Sequence, residues 1–298
     1  MGFTRLSAGS VTVSAGDDGL KAPHTLEISG GTLNIEKSNE GIEAQYINIL
    51  DGDVTVNSTD DGINASLKDS SSDTSSDTTS GTATAGQQTQ QNQNGQVQQA
   101  PAGGGAAPGG SQGSTGQNQN MPQPPTDGAM PGGGTFEVVD AAINISGGTV
   151  TVNAEGDGID SNGTATFSGG TVTVNGPVAG GNNALDSNGD LLLNGGTVTA
   201  GSTADMFEAP SSASTSGYLK ITDSSALTQG STVQVTDSSG TVVANYKITT
   251  SGVQLVLVSN KNIVKGQSYT VSVTSGSVDA ASTTAASGAS ELGSFTAA

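Results

Sequence analysis

The sequence contains no cysteine and no tryptophan, one histidine, and only 3% aromatic residues. Without cysteine there is neither a disulfide framework nor thiol chemistry. Zinc and copper sites are not expected either, because the one imidazole, His24, stands beside Pro23 at a turn and reads as a plain exposed residue. A compact two-layer domain of this size leans on Phe, Tyr and Trp to fill its core. Here the apolar residues are mostly Val, Ile, Leu and Ala, which a solenoid can bury in many shallow, repeated layers. Basic residues are also scarce, 8 Lys+Arg against 27 Asp+Glu in 298 residues. So acidic a surface repels nucleic-acid phosphates and anionic membranes, and neither is an expected partner, whereas cations are attracted. No apolar run has the length of a transmembrane helix, and Met1-Gly2-Phe3-Thr4 does not open a signal peptide.

What is abundant is glycine, 45 residues of it, in two alternating patterns. One is Gly-Gly-Thr followed by β-branched alternation, as in Gly30-Gly31-Thr32-Leu33-Asn34-Ile35, Gly147-Gly148-Thr149-Val150-Thr151-Val152, Gly169-Gly170-Thr171-Val172-Thr173-Val174 and Gly195-Gly196-Thr197-Val198. The other is acid-Gly-aliphatic: Asp17-Asp18-Gly19-Leu20, Glu40-Gly41-Ile42-Glu43, Asp60-Asp61-Gly62-Ile63-Asn64 and Asp157-Gly158-Ile159-Asp160. Gly19 to Gly41 spans 22 residues, Gly41 to Gly62 spans 21 and Gly148 to Gly170 spans 22. A repeat of this length suits one coil of three short strands and three turns. The expected fold is therefore all-β, a right-handed parallel β-helix of about six coils, each of ~22 residues stacked at ~4.8 Å. Period-two alternation points Val11, Val13, Ile47, Ile49, Val150, Val152, Val172 and Val174 inward. The glycines are expected to permit corners with φ > 0.

The repeat divides the chain into four stretches. Coils occupy 1–65 and 135–210, separated by a Gly/Gln/Ser/Pro-rich excursion over 66–134 with too few aliphatic residues to order itself. Residues 211–298 carry alternating strands such as Thr232-Val233-Gln234-Val235 and Leu255-Val256-Leu257-Val258. These read as an antiparallel β unit capping the C-terminal end of the solenoid, where an open edge would invite aggregation. The first coil starts within ten residues of Met1 without a capping segment. Either upstream coils are missing, or a second molecule covers that edge and the chain associates with itself there.

Aligning the coils on the acid-Gly-aliphatic turn produces two acidic columns. The residue before the turn's central position is Asp18, Glu40, Asp61, Asp157, Asn183 and Asp205; the residue two after it is Lys21, Glu43, Asn64, Asp160, Asp186 and Glu208. Two carboxylates ~4.8 Å apart repel by ~3.5 kcal/mol at an effective dielectric near 20, so raised pKa values, water or a bound cation must offset the repulsion. Carboxylate, amide and carbonyl oxygens are what the Ca²⁺ shell accepts. Two or more Ca²⁺ ions are expected along this edge, with Asp17, Asp18, Glu40, Glu43, Asp60, Asp61, Asn64, Asp157, Asp160 and Asp186 as candidate ligands and Asp60, Asp61, Asp157 and Asp160 as the focus. The competing reading is that repeated Asp-Gly pairs are ordinary solvated turn residues. The outward Thr149/Thr151, Thr171/Thr173 and Thr197/Thr199 pairs are either good polar strand formers or a flat ligand-facing ladder.

Over Ser7 to about Pro210 these features resemble the secreted parallel β-helix family described as carbohydrate-binding domain-containing proteins. The resemblance rests on the Gly-Gly-Thr strands, the Asp60-Asp61-Gly62-Ile63-Asn64-Ala65 turn, the interruption ending in Gly128-Ala129-Met130-Pro131-Gly132-Gly133-Gly134, and Gly156-Asp157-Gly158-Ile159-Asp160-Ser161-Asn162-Gly163. It implies a pectate-lyase-like fold, bound calcium, a secreted and cell-surface-associated location, and non-catalytic binding of plant cell-wall polysaccharide, pectic or cellulosic. The residues themselves favour the acidic glycan, since Tyr46, Tyr218, Tyr246, Tyr269 and five Phe make a poor aromatic platform for neutral glucan. A lyase would need a basic residue beside the calcium, yet Arg5, Lys21, Lys37 and Lys68 all precede the Asp157/Asp160 turn. A hydrolase, a cell-surface assembly protein built from end-to-end stacked coils and an ice-binding threonine ladder remain the other readings.

Overall fold

The computed structural model describes residues 2–67, 137–223, 227–275, 278–279 and 281–298; the 66–134 excursion lies outside these apart from Ser66 and Leu67. Every regular element among them is a strand, and no helix is long and apolar enough to cross a membrane.

Six coils follow one another. The first holds β1 (Phe3–Leu6), β2 (Ser10–Ser14) and β3 (Leu20–Lys21); the second β4 (Thr25–Ser38) and β5 (Ile42–Ala44); the third β6 (Tyr46–Ser58) and β7 (Ile63–Ala65). The fourth holds β8 (Ala142–Ile145), β9 (Thr149–Ala154) and β10 (Ile159–Ser161), the fifth β11 (Thr164–Asn175) and β12 (Leu185–Ser187), and the sixth β13 (Leu191–Ser202). All pairings between coils are parallel and keep the sequence repeat in register: Val54 lies on Val150 and Val150 on Val172, while Ile63 lies on Ile159 and Ile159 on Leu185. The fourth coil stacks directly on the third, although 66–134 separates them in sequence. The chain is thus a parallel β-solenoid with an added antiparallel sheet.

Burial follows the alternation. Ile47, Ile49, Val150, Val152, Val172 and Val174 are all fully enclosed, each contributing roughly 1.5–3 kcal/mol relative to exposure. Phe167 is the one aromatic side chain among the fully enclosed residues of this core. Val11 departs from the expectation and is 39% exposed. It stacks on Leu33 and nothing described stacks on its other side, so facing the lumen does not enclose it; Val13 is partly buried against the same core.

The two glycine columns turn out to have different causes. In the Gly-Gly-Thr motif, Gly31, Gly148, Gly170 and Gly196 have φ between 74° and 84°, and Gly52 of the aligned Asp51-Gly52-Asp53 turn has φ 105°, a left-handed corner that side chains disfavour. Gly41, Gly62 and Gly158 of the acidic turn are not in that region, contrary to the expectation for them. They are small because of crowding: a Cβ on Gly62 would lie 2.2 Å from Val152 Cγ1 and 2.4 Å from the Gly158 carbonyl oxygen. In the next coil Ala184 fills the equivalent place, where β12 ends the five-stranded sheet and no strand lies beyond it. Gly62→Ala should therefore cost about 3 kcal/mol by overpacking against backbone. Gly16→Ala, with nothing within 4 Å of the new Cβ, should be nearly neutral; urea denaturation of the two variants compares them.

The C-terminal part contributes β14 (Leu219–Thr222), β15 (Thr232–Thr236), β16 (Val242–Lys247), β17 (Leu255–Ser259), β18 (Ser268–Thr274) and β19 (Ser290–Thr296). Strand β17 pairs antiparallel with β13 and with β14, extending the solenoid's main sheet, while β16-β15-β18-β19 form a separate antiparallel sheet. A ladder of asparagines along the solenoid also ends here. Asn153 donates to Asn57 and Asn175 donates to Asn153, and the buried Tyr246 hydroxyl closes the series on Asn175 Oδ1 at 3.0 Å.

Candidate functional site

The strands β3, β5, β7, β10 and β12 are short because each coil turns a corner at its acidic motif. Their alternation buries the first residue, Ile42, Ile63, Ile159 or Leu185, and the third, Ala44, Ala65, Ser161 or Ser187. The middle residue must face outward. Register places Lys21, Glu43, Asn64, Asp160 and Asp186 in one row. A second row forms beside it, where each residue's carbonyl accepts a hydrogen bond from the glycine stacked against it: Gly19 N–H on Glu40, Gly41 N–H on Asp61, Gly62 N–H on Asp157 and Gly158 N–H on Asn183. Asp18, Glu40, Asp61, Asp157 and Asn183 thus share one edge.

The structure sorts the ten candidate ligands into four groups. Asp18, Glu40 and Glu43 bring carboxylate oxygens within 4.8 Å of one another, and so do Asp61, Asp157 and Asp160. Asn64 links the groups, stacked between Glu43 and Asp160, and Asp186 continues its row. Asp17 and Asp60 belong to neither cluster: they stack through Asn39 in a further row and are exposed. Asp205 is exposed and lies outside any strand, so it does not prolong the inner row as the alignment suggested.

The two clusters differ in how their charge is met. In the first, Lys21 Nζ lies 2.9 Å from Asp18 Oδ2 and is also paired with Glu43. Burial alone would lower the Lys21 pKa, but the hydrogen bonds it donates to Glu43 and Asp18 hold it above the usual lysine range. The second cluster has no ammonium or guanidinium group paired with it among the described residues. Its acids are harder to ionise than ordinary carboxyls. Burial, reinforced by Asp186, Asp61 and Asp157, pushes Asp160 up to about 8. Burial and neighbouring acids push Asp157 up to about 6 against the opposing Asn183 N–H, and burial raises Asp61 against the Asp157 N–H. Burial with Glu43 and Asp18 takes Glu40 to about 7.

Hydrogen bonds orient the cluster. Asp61 Oδ1 accepts the Asp157 N–H at 2.8 Å, and Asp157 Oδ1 accepts the Asn183 N–H. Each carboxylate thus spends one oxygen bracing the next coil. The buried Oδ1 of Asn64 and Oε2 of Glu40 have no hydrogen-bond partner. Asn183 accepts the Ala184 N–H with its Oδ1. Glu208, present in the aligned row but not among the candidate ligands, proves to be part of the site. It folds back from an irregular stretch so that Oε2 accepts the Ser187 N–H at 2.7 Å. Burial and its hydrogen bond with Asp186 take its pKa to about 9. The signal for it was its place in the row.

Such an edge can bind a hard cation through oxygen alone, or hold protons in its absence. No curated protein and no solved structure matches the chain significantly. A family model described as carbohydrate-binding domain-containing protein matches residues 3–177, from β1 to just past β11. That span includes both carboxylate clusters and more than half of the sequence, and the chain belongs to the family of carbohydrate-binding domain-containing proteins.

Proposed function

We propose that this chain is a secreted, cell-surface-associated and non-catalytic polysaccharide-binding protein, holding acidic pectic chains through Ca²⁺ on its acidic edge. Family membership supplies the carbohydrate-binding role. The observation that carries the calcium is the second cluster, in which Asp61, Asp157 and Asp160 converge within 4.8 Å without a paired ammonium or guanidinium among the described residues. The donors fit the ion. All are oxygens, and the Asp61 and Asp157 carboxylates are each held by a backbone N–H group. The buried Asn64 Oδ1 without a partner is the kind of neutral oxygen a six- to eight-coordinate ion recruits. Asp61, Asp157, Asp160 and Asn64 would hold the ion, with Asp186 and Glu208 next along the edge. When bound, it supplies positive charge that reverses the local field, so that a polyuronate can approach an otherwise repulsive surface.

Binding is favoured over hydrolysis by the charge. Carboxylates stacked around a cation are poor general acids, and no basic side chain is paired with the second cluster among the described residues to hold a uronate. Lyase chemistry is disfavoured because no basic side chain is paired with the second cluster among the described residues, and Lys21 and Arg5 are engaged with Asp18, Glu43 and Glu27. Retention on immobilised polygalacturonate is the test. It should fall at least about tenfold on chelation of calcium, or on Asp160→Asn with calcium present, as expected for loss of one bridging ion. Equal retention with and without chelator would contradict the bridging role.

A further inference from the structure

A groove of about 540 Å³, lined by none of the residues of the acidic edge, has a size within the usual range of ligand sites. Its floor is the outward face of β11 and β13, where Thr171 pairs with Thr197 and Thr173 with Thr199. Thr199 is buried, its hydroxyl turned to Val172 O and Thr173 Oγ1 at 3.4 Å. Thr171 is exposed, and Thr173 and Thr197 are partly so, leaving their hydroxyls available. The far wall is the turn after β17, where Asn260 and Lys261 line the groove. That wall is braced: Asn260 Nδ2 donates to Val243 O at 3.0 Å and its Oδ1 accepts the Asn262 N–H at 2.8 Å.

Three features of the lining choose the ligand. No aromatic residue lines the groove, so sugar rings have nothing to stack on and must be held by hydrogen bonds. No carboxylate lines it either, in a chain of net charge −19. Its single charge is the exposed Lys261, which forms no ion pair among the described residues. A threonine hydroxyl both donates and accepts, matching sugar hydroxyls, and the hydroxyl rows continue beyond the groove through Thr149 and Thr151. The first carboxylate in those rows, Asp53, comes one coil further on. An elongated, hydroxyl-rich ligand carrying negative charge fits this surface.

We propose that this groove is a second, calcium-independent glycan site, taking a uronate-bearing chain whose carboxylate meets Lys261 and whose hydroxyls meet Thr171, Thr173 and Thr197. It rests on the carbohydrate-binding role above but not on calcium, and its far wall lies beyond the family match at residue 177. The test is isothermal titration of the full chain with hexagalacturonate in the presence of chelator. The parent chain should bind, and cellohexaose should bind at least about tenfold more weakly. Lys261→Glu should lose at least about tenfold in affinity, Lys261→Arg should stay within about threefold, and Thr173→Val/Thr197→Val should weaken binding with an unchanged melting temperature, as expected for one charge-assisted contact and two hydrogen bonds. Absence of binding in chelator, or equal affinity for Lys261→Glu, overturns the groove site. Failure of the calcium bridge shows itself separately, as retention on polygalacturonate that is indifferent to calcium in the Lys261→Glu chain.

Discussion

Calcium should raise the melting temperature of this chain by about 5–10 °C at a concentration one hundredfold above its dissociation constant. Binding to the native state alone is then worth about 2.7 kcal/mol, and each kcal/mol shifts a solenoid of this size by roughly 2–4 °C. The variant Asp160→Asn should remove that rise, because it deletes a carboxylate from the cluster of Asp61, Asp157 and Asp160. Its effect without metal has the opposite sign. The Asp160 carboxyl is pushed up by burial and by Asp186, Asp61 and Asp157, so near neutral pH the native state carries a carboxyl that resists ionisation. A neutral amide of the same shape relieves that tension, and in chelator Asp160→Asn should melt at or above the parent. Scanning calorimetry of both chains with and without calcium reads all four values. A parent chain whose transition ignores calcium would remove the ion from the account.

In chelator, the parent should also be less stable at pH 9 than at pH 5. Asp157, Asp160, Glu40 and Glu208 have native pKa values of about 6, 8, 7 and 9, all above their ordinary 3.8 or 4.5. A raised native pKa means the folded chain binds more protons than the unfolded one between the two values, so stability falls as pH rises through that window. The contribution is complete below about pH 4 and is lost progressively up to about pH 9. Saturating calcium should flatten or reverse the slope, since the ion competes with protons for the same oxygens. General repulsion in an acidic chain has the same sign, so the combined Asp160→Asn/Glu208→Gln variant is the discriminating control. It should lose much of the slope while leaving the rest of the surface charge unchanged. A slope identical to the parent's would assign the effect to the surface as a whole.

Periodicity made the solenoid legible. A stacked coil repeats its corner, its inward aliphatic and its outward polar residue, so the columns Glu43-Asn64-Asp160 and Glu40-Asp61-Asp157 follow from aligning the repeats alone. What the repeat conceals is where each column is interrupted. Lys21 aligns with the acids yet serves as the cation of the first cluster, a distinction that depends on Asp18 and Glu43 both reaching its ammonium. Asp17 and Asp60 share the motif but stand one residue further out, in solvent. Glu208 enters the site from a stretch with no repeat, where alignment gives a row but not a fold. The glycines were read through backbone freedom alone, whereas Gly41 and Gly62 answer to the neighbouring coil's valine and carbonyl. The docking of β17 on β13 had no sequence signal, because Leu255-Val256-Leu257-Val258 is apolar on both faces and does not say which neighbour covers each.

The most direct measurement is anomalous scattering from crystals grown with calcium. An ion should appear among the carboxylates of Asp61, Asp157 and Asp160, with Asn64 Oδ1 drawn into its shell and the Asp18-Glu43 cluster filled by the Lys21 ammonium instead. Carboxyls of Asp61, Asp157 and Asp160 hydrogen-bonded directly to one another, with no anomalous peak between them in saturating calcium, would contradict the metal-bearing edge.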